Sequence, residues 1–168
     1  VYAYSERFML VFSHDEVVHG KSTMIGKMPG VLEDKFANLR LTYAYMMTHP
    51  GKKLLFMGQD IAEFKEFDEM RETEWGLLSS DGHKGVHELV KDLNKLYKEK
   101  PALYALDNHP EGFEWINCIS PEKCMVSFLR KTQKKNDTLV VVANFANMEQ
   151  EFVIGVPYEG KYTEILNT

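Results

Sequence analysis

The chain has 168 residues, of which 44% are hydrophobic, and a formal net charge of -5 at pH 7. This apolar content is enough for a packed core and excludes a mainly disordered chain. Lysines and arginines are scattered, and one short basic cluster at 131–135 lies in a predicted turn, so the sequence argues against a nucleic-acid-binding surface.

Targeting signals and a disulfide framework are also absent from the sequence pattern. No run approaches the roughly 18 apolar residues that a membrane-spanning helix needs, and no signal peptide is recognisable. The chain starts at Val1 without a methionine, which we interpret as a cut within a longer chain. Cys118 and Cys124 fall in a predicted β-hairpin where they could face each other. Because two cysteines make no framework, we expect reduced, partly buried thiols in a cytoplasmic protein.

The first 60 residues predict a strand, a helix and a second strand. Phe8–Phe12 and Leu54–Met57 are apolar runs that stop at polar residues, a pattern typical of strands buried on both faces of a parallel sheet. Between them, apolar residues recur every three or four positions from Leu32 to Thr48, which predicts an amphipathic helix. Pro50 ends that helix. The order predicts a βαβ unit.

The rest of the chain changes from helical to strand periodicity. Val86–Tyr97 predicts a further helix that Pro101 terminates. Short β-type segments separated by turns follow, which predicts an antiparallel sandwich with Trp115 in its core. We therefore divide the chain into residues 1–103 and 104–168. The predicted strands are Gly112–Ile116, Cys124–Arg130, Leu139–Phe145, Glu151–Ile154 and Tyr162–Leu166.

Two motifs that suggest a ligand fail on spacing. Gly20-Lys21-Ser22 resembles the end of a phosphate-binding loop, but Asp15 stands where that motif needs a glycine. His14 and His19 resemble a zinc-protease pair, but they are five residues apart rather than four and flank a strand end. The sequence therefore implies no metal and no cofactor.

An ionisable pair, His14 and Asp15, directly follows the first predicted strand. A buried strand that ends in such a pair directs the two side chains into a cleft, and a buried carboxylate is costly unless it is paired or used. A catalytic role for Asp15 is one interpretation. The alternative is a cap for the loop that follows.

The residues around this pair resemble a known family. Residues 13–21 read SHDEVVHGK and strongly resemble the motif at the end of the seventh barrel strand of glycogen (1,4-α-glucan) branching enzymes, members of the α-amylase superfamily. The superfamily at large shares only the His-Asp pair. The resemblance continues in order through KFANLR, HPGKKLLFMG, VKDLN, GFEWI, NF and EILNT, and so covers nearly the whole chain.

This resemblance implies a fold, an activity and a set of site residues. The fold would be the last two βα units of a (β/α)8 TIM barrel, followed by part of an antiparallel β-sandwich. Asp15 would stabilise the transition state by binding hydroxyl groups of the donor sugar, and His14 would bind the same sugar ring. These roles fit the reaction, because hydrogen bonds to the sugar hydroxyls strengthen as the ring approaches a half-chair. The family's nucleophile and general acid lie on earlier strands. We therefore expect the chain alone to be inactive.

Two further positions are weaker candidates for substrate binding. Asp60 matches the end of the eighth strand, where the family more often has glutamate. Trp75 either stacks on a glucan or anchors a loop on the barrel. The expected partners are an α-glucan such as glycogen or amylose and the missing N-terminal part of the parent enzyme, with no nucleic acid or membrane.

Other functions remain open for the parent and for the chain alone. The parent could instead be an α-amylase-superfamily hydrolase acting on α-1,4 or α-1,6 glucans. The isolated chain could be a non-catalytic module for glucan binding or domain docking. It could also self-associate, because two apolar strands would lack their barrel neighbours.

Overall fold

The computed structural model of the chain describes residues 7–118 and 120–168. A parallel two-stranded sheet and its helices form the first part, and an antiparallel three-stranded sheet forms the second. Short 3-10 turns connect these elements. The strands and α-helices are β1 Met9–Phe12, α1 Met24–Lys27, α2 Leu32–Thr48, β2 Lys52–Leu55, α3 Asp81–Glu99, β3 Phe113–Asn117, β4 Met125–Arg130 and β5 Leu139–Asn144.

The predicted βαβ order is confirmed. β1 and β2 pair in parallel from Met9 opposite Lys52 to Phe12 opposite Leu55, with α2 between them in the chain. α2 has the predicted bounds and ends just before His49 and Pro50. The second strand begins two residues earlier than predicted and ends at Leu55.

The core of the first part lies between the helices. α2 and α3 pack their apolar faces together, as the spacing of three and four predicts. The two strands pack against this helical core through part of their side chains. The buried residues of this core include Phe36, Leu39, Tyr43, Met46, Met47, Val86, Leu89, Val90 and Leu93.

Burial of the two strands on both faces is not observed. Met9 is 52% exposed and Val11 is also exposed, whereas Leu10 and Phe12 pack against the core. Within the part of the chain that the structure describes, no second layer covers this outer face. The apolar run of β1 predicts a layer that residues 7–118 and 120–168 do not supply.

The antiparallel sheet is confirmed for three of its five predicted strands. β4 pairs with β3 on one side and with β5 on the other. The prediction of strands at Glu151–Ile154 and Tyr162–Leu166 is wrong, since both segments are irregular and Val153 is 97% exposed. A strand needs a partner, and local sequence pattern does not specify one. The second sheet of a sandwich is therefore not formed by the described residues.

Two side-chain expectations in this region also need correction. Trp115 is exposed rather than fully enclosed, although its ring packs at 5.0 Å from Phe113 and 5.6 Å from Phe128. Cys118 and Cys124 are unpaired as expected but exposed rather than partly buried. The exposed positions lie on β3 at the edge of the sheet and in the connection to β4, whereas β4 itself is mostly buried.

A buried arginine joins the two parts of the molecule. The side chain of Arg130, at the end of β4, is fully buried. Its Nη1 donates to the Thr48 carbonyl at 2.6 Å, and its Nη2 donates to Leu103 at 3.2 Å and to Asp107 Oδ1 at 2.7 Å. Its Nε donates to Gly112 at 3.3 Å. The guanidinium thus binds the end of α2, the turn after α3 and the approach to β3 at once.

Asp107 completes this junction with its second carboxylate oxygen. Oδ2 accepts a hydrogen bond from Lys52 Nζ at 3.2 Å and another from the Tyr97 hydroxyl at 3.2 Å. A buried charge pair of this kind is stable only while every charged group keeps its partners. The position of β2 relative to the antiparallel sheet therefore depends on one carboxylate.

Replacing Asp107 tests this dependence. We expect Asp107→Asn to lower the free energy of unfolding by about 3 kcal/mol or more, because the guanidinium of Arg130 stays buried without its counter-charge. Glu114→Gln is the matched control, since it breaks the more exposed pair with Lys131 and should cost at most about 1 kcal/mol. Equal losses in urea unfolding would contradict the importance of the junction.

His49 lies inside an aromatic cluster at the same junction. Its ring lies 4.5 Å from Tyr45, 5.2 Å from Phe113 and 5.2 Å from Phe128, and its Nδ1 has no hydrogen-bond partner among the described residues. Burial, with the nearby charges of Lys53 and Arg130, lowers the pKa of His49 to about 4. The imidazole is therefore neutral in the folded chain at pH values where it would be charged in the unfolded chain.

This difference makes stability depend on pH. The unfolded state takes up the proton below about pH 6.5, whereas the folded state resists it down to about pH 4, so stability falls as pH drops through that window. We expect His49→Gln to reduce the loss between pH 7 and 4.5 by about 1–2 kcal/mol relative to the unsubstituted chain. His109→Gln, at an exposed position, should leave the loss unchanged. Identical pH profiles for all three proteins would refute this role of His49.

Candidate active site

A short 3-10 turn, His14–Glu16, carries the candidate catalytic pair at the end of β1. Ser13 and Glu16 cap it: Asp15 N–H donates to Ser13 Oγ at 3.2 Å, and Ser13 N–H donates to Glu16 Oε2 at 2.6 Å. This reciprocal arrangement is a capping box. This turn is therefore capped by side chains other than that of Asp15.

The pair itself is open to solvent. The side chains of His14 and Asp15 are 58% and 70% exposed, with His14 Nε2 3.4 Å from Asp15 Oδ1. The expectation that the first strand directs them into a cleft is not met by the described residues alone. The ring of His14 lies 5.9 Å from that of Phe56, which directly follows β2. The ends of both strands thus meet at one edge.

The loop after this turn is fastened to the segment after β2. Phe67 N–H donates to the Val17 carbonyl at 2.9 Å. The carboxylate of Glu66 accepts hydrogen bonds from Gly20 N–H at 2.8 Å and Ser22 N–H at 2.6 Å. These two bonds lower the pKa of Glu66 and keep it ionised. The two loops at this edge therefore form one connected unit.

Asp60 lies on a second turn, Gln59–Ile61, that both long helices hold in place. The Tyr43 hydroxyl donates to the Gln59 carbonyl at 2.9 Å, and His83 Nδ1 lies 2.8 Å from the Ile61 carbonyl. Asp60 itself faces His87, with 3.5 Å between Oδ2 and Nδ1. That separation meets the distance for an ion pair, but the geometry is not that of a hydrogen bond. The Asp60 carboxylate therefore lies close to His87 without a hydrogen bond to it.

A cavity of about 290 Å³ opens beside Asp60 along β2. Its lining includes Tyr43, Lys53 and Phe56. Burial lowers the pKa of Lys53 to about 7, so this amine is only partly charged at neutral pH. Burial, together with the charge of Asp60, raises the pKa of Tyr43. The cavity thus combines an apolar wall with one acid and one weakened base.

Trp75 begins the 3-10 helix Trp75–Ser79 and is 56% exposed. Among the described residues, no hydrogen bond, ion pair or ring contact joins it to His14, Asp15 or Asp60. A role in stacking on a sugar is compatible with this exposure, and the role of loop anchor is not supported by it. The structure therefore unites His14 and Asp15 with the end of β2 and leaves Trp75 apart.

The described parts of the chain contain neither a candidate metal-ion cluster nor a helix that could span a membrane. No group of three or more His, Cys, Asp or Glu side chains there is arranged to hold a metal ion. Within the same residues, no helix has the length and apolarity needed to cross a bilayer.

Glu66 is the residue of this edge that the sequence did not reveal. It lies in an irregular, charged segment and makes its contacts with residues 44 and 46 positions earlier in the chain. Nothing in the local pattern distinguishes it from Glu63 or Glu69. The one indirect sign in the sequence is Gly20, a residue type that favours a positive φ angle. A loop with such angles needs contacts from outside to keep its shape.

The second part of the chain is similar to a known domain family. The family model described as the alpha amylase C-terminal all-beta domain matches residues 115–168. This agrees with the antiparallel sheet of β3, β4 and β5. The match begins inside β3, after the boundary predicted at residues 103 and 104, which stays a prediction.

Individual relatives extend the match to the whole chain. The chain is 48% identical to "1,4-alpha-glucan branching enzyme GlgB" of Geobacillus stearothermophilus, over 100% of this chain and 26% of that protein. It is 49% identical to the protein of that name from Aquifex aeolicus, over 99% of this chain and 27% of the relative. The relative from Synechococcus elongatus is 51% identical, over 99% of this chain and 22% of its own length.

The chain is therefore related over its whole length to the C-terminal part of the 1,4-α-glucan branching enzymes. The resemblance seen in the sequence is confirmed. The chain spans about a quarter of the length of the curated relatives that it matches.

Proposed function

We propose that this chain supplies the transition-state-stabilising carboxylate of a retaining glucan branching reaction. One observation carries the proposal: Asp15 is presented at the carboxyl end of a parallel strand, and Ser13 and Glu16 form the cap that would otherwise occupy it. The similarity to branching enzymes over the whole chain supports the choice of reaction. The substrate would be an α-1,4 glucan such as amylose or glycogen.

The reaction divides between this chain and the preceding part of the parent protein. A carboxylate outside this chain attacks the anomeric carbon as the α-1,4 bond breaks, and an acid outside this chain protonates the departing 4-oxygen. A 6-hydroxyl of a glucan then attacks the anomeric carbon and gives its proton to the group that acted as the acid in the first step. The bond between the anomeric carbon and the enzyme carboxylate breaks in this second step. Asp15 and His14 bind ring hydroxyls, and these contacts tighten as the ring approaches the half-chair.

The architecture that we infer around Asp15 is the end of a (β/α)8 barrel. β1, α2, β2 and α3 would be its last two βα units, with the chemistry at the carboxyl ends of the strands. The exposed face of Met9 and Val11 supports this inference, because barrel strands carry apolar residues on both faces. The preceding part of the parent protein would cover that face.

Asp60 and Trp75 have secondary roles in this proposal. Asp60 would contact the glucan from the end of β2, since it borders the cavity and is only partly paired by His87. Trp75 would stack on a sugar ring, since its indole is exposed at the start of a 3-10 helix. We also propose that the protein acts in the cytoplasm, in glycogen synthesis. The exposed and unpaired Cys118 and Cys124 are consistent with that compartment.

The alternatives differ in a measurable product. A hydrolase of the α-amylase superfamily would release reducing ends in proportion to the α-1,4 bonds that it cuts. A branching enzyme shifts the iodine spectrum of amylose without that release. For the chain alone, affinity electrophoresis in glycogen separates a glucan-binding module, which is retarded, from a docking module, which is not.

Asp15→Asn in the full-length parent protein tests the assignment. We expect turnover of amylose, followed by the iodine spectrum, to fall by a factor on the order of a hundred or more, because a positioned transition-state contact is lost. Asp92→Asn, on the exposed face of α3, should retain normal turnover with the same fold by circular dichroism. The 168-residue chain alone should show no turnover. Near-normal activity in Asp15→Asn would refute the proposal.

The exposed strand face predicts how the isolated chain behaves. Among the described residues, β1 and β2 form a sheet with two open edges, and no layer covers Met9 and Val11. Open edges and apolar patches promote association, most commonly about a twofold axis. We expect the light-scattering mass to rise with concentration, and Met9→Lys with Val11→Lys to restore the monomer. A monomer mass that is constant up to high concentration would contradict self-pairing.

A further inference from the structure

The two loops at the carboxyl ends of β1 and β2 are connected mainly through one side chain. Glu66 accepts the N–H groups of Gly20 and Ser22, one on each carboxylate oxygen. The adjacent Phe67 N–H donates to the Val17 carbonyl. These bonds hold residues 17–22 against the segment that follows Asp60. The loop therefore takes its shape from a contact outside itself.

The backbone of this loop is in a conformation that does not persist unaided. His19, Gly20 and Ser22 have φ values of 54°, 78° and 64°. Such angles cost roughly 1–2 kcal/mol at each non-glycine residue, so surrounding contacts must maintain them. Backbone amides in a turn can point toward a common site and bind an anion. Here the anion is the Glu66 carboxylate.

The loop in turn holds the backbone that carries the candidate catalytic residue. Lys21, between the two amides that Glu66 binds, donates from Nζ to the carbonyl of Asp15 at 2.9 Å. Lys27, after the loop, donates to the carbonyl of Glu16. One side chain within the left-handed segment and one after it thus reach back to the turn His14–Glu16. A change in the loop would therefore disturb the contact of Lys21 with the Asp15 carbonyl.

We propose that Glu66 is a positioning residue for Asp15, acting through the Gly20 and Ser22 amides and through Lys21. The inference rests on the proposed function of Asp15 and adds a residue from the other strand end to its support. Glu66 touches neither Asp15 nor the sugar in this proposal. It sets the orientation of the Asp15 carboxylate by fixing the loop that holds the Asp15 backbone.

The chemistry of this anchor requires two acceptor oxygens on one side chain. The amide of a glutamine keeps one acceptor but presents an NH2 group, itself a donor, to the second backbone N–H. One of the two bonds is then replaced by a repulsion between donors. An aspartate keeps both acceptors but is shorter by one methylene group. Glu66→Asp should therefore retain part of the function that Glu66→Gln loses.

The test compares three variants of the full-length parent protein. Glu66→Gln removes one acceptor, Glu66→Asp keeps both, and Glu69→Gln is the matched control on the same segment, at an exposed position. Hydrogen exchange followed by mass spectrometry reports on the peptide that covers residues 17–23. Steady-state kinetics with amylose gives kcat and KM separately, and thermal unfolding reports on the fold.

The proposal predicts a specific combination of results. For Glu66→Gln we expect exchange in residues 17–23 to be at least about tenfold faster and kcat to fall by about tenfold, with KM within about twofold and the melting temperature little changed, because a misplaced transition-state contact lowers kcat. Glu66→Asp should lie between Glu66→Gln and the unsubstituted protein. Glu69→Gln should match the unsubstituted protein in all measurements.

Three results would overturn the proposal. Unchanged exchange in Glu66→Gln means that Glu66 does not hold the loop. Faster exchange with unchanged kcat means that the loop does not position Asp15. Loss of kcat only together with a lower melting temperature, in both Glu66 variants alike, means a general structural role. Asp15→Asn, measured in parallel, keeps the two claims separate: its normal activity would reject the proposed function, whereas its inactivity beside a fully active Glu66→Gln rejects only this inference.

Discussion

The buried guanidinium of Arg130 is the constraint on which the arrangement of the chain depends. It gathers three backbone carbonyls and the Asp107 carboxylate from elements that are far apart in sequence. Asp107 then holds Lys52 at the start of β2. Removing one member leaves a charge buried without its counterpart, and the penalty for that exceeds the net gain from an intact pair. The helical part and the antiparallel sheet are therefore held together by an interaction that does not tolerate the loss of one of its charged members.

This junction matters for the candidate site because β2 connects the two. Its first residue is held by Asp107, and Phe56, just beyond its last residue, packs near His14. Between these ends the strand pairs in parallel with β1. The residues that stabilise the junction and the candidate catalytic residues thus lie at opposite ends of the strands. The buried charges of Arg130 and Asp107 lie at the amino end, and the exposed His14 and Asp15 lie at a carboxyl end. That separation is common in proteins built from βα units.

The sequence predicted those features that local periodicity encodes. α2 was predictable because its apolar spacing and Pro50 are properties of one segment, and β1, β3, β4 and β5 were predictable to within two residues. Strands at Glu151–Ile154 and Tyr162–Leu166 were not, because alternation of side chains provides no pairing partner. The position of Asp15 followed from the end of a strand, but its release from capping depends on Ser13 and Glu16 together. Glu66 remained hidden because its contacts span more than 40 residues and its own segment has no regular pattern.

We propose above all that the carboxylate of Asp15 binds the glucan at the carboxyl end of β1. A crystal structure of the full-length parent protein with an α-1,4 glucan bound tests this most directly. We expect a sugar ring with hydroxyl groups within about 3 Å of the Asp15 carboxylate and of His14, while Glu66 keeps its hydrogen bonds to the Gly20 and Ser22 amides. A glucan bound with its reacting bond elsewhere, and Asp15 facing only solvent, would contradict this role of Asp15.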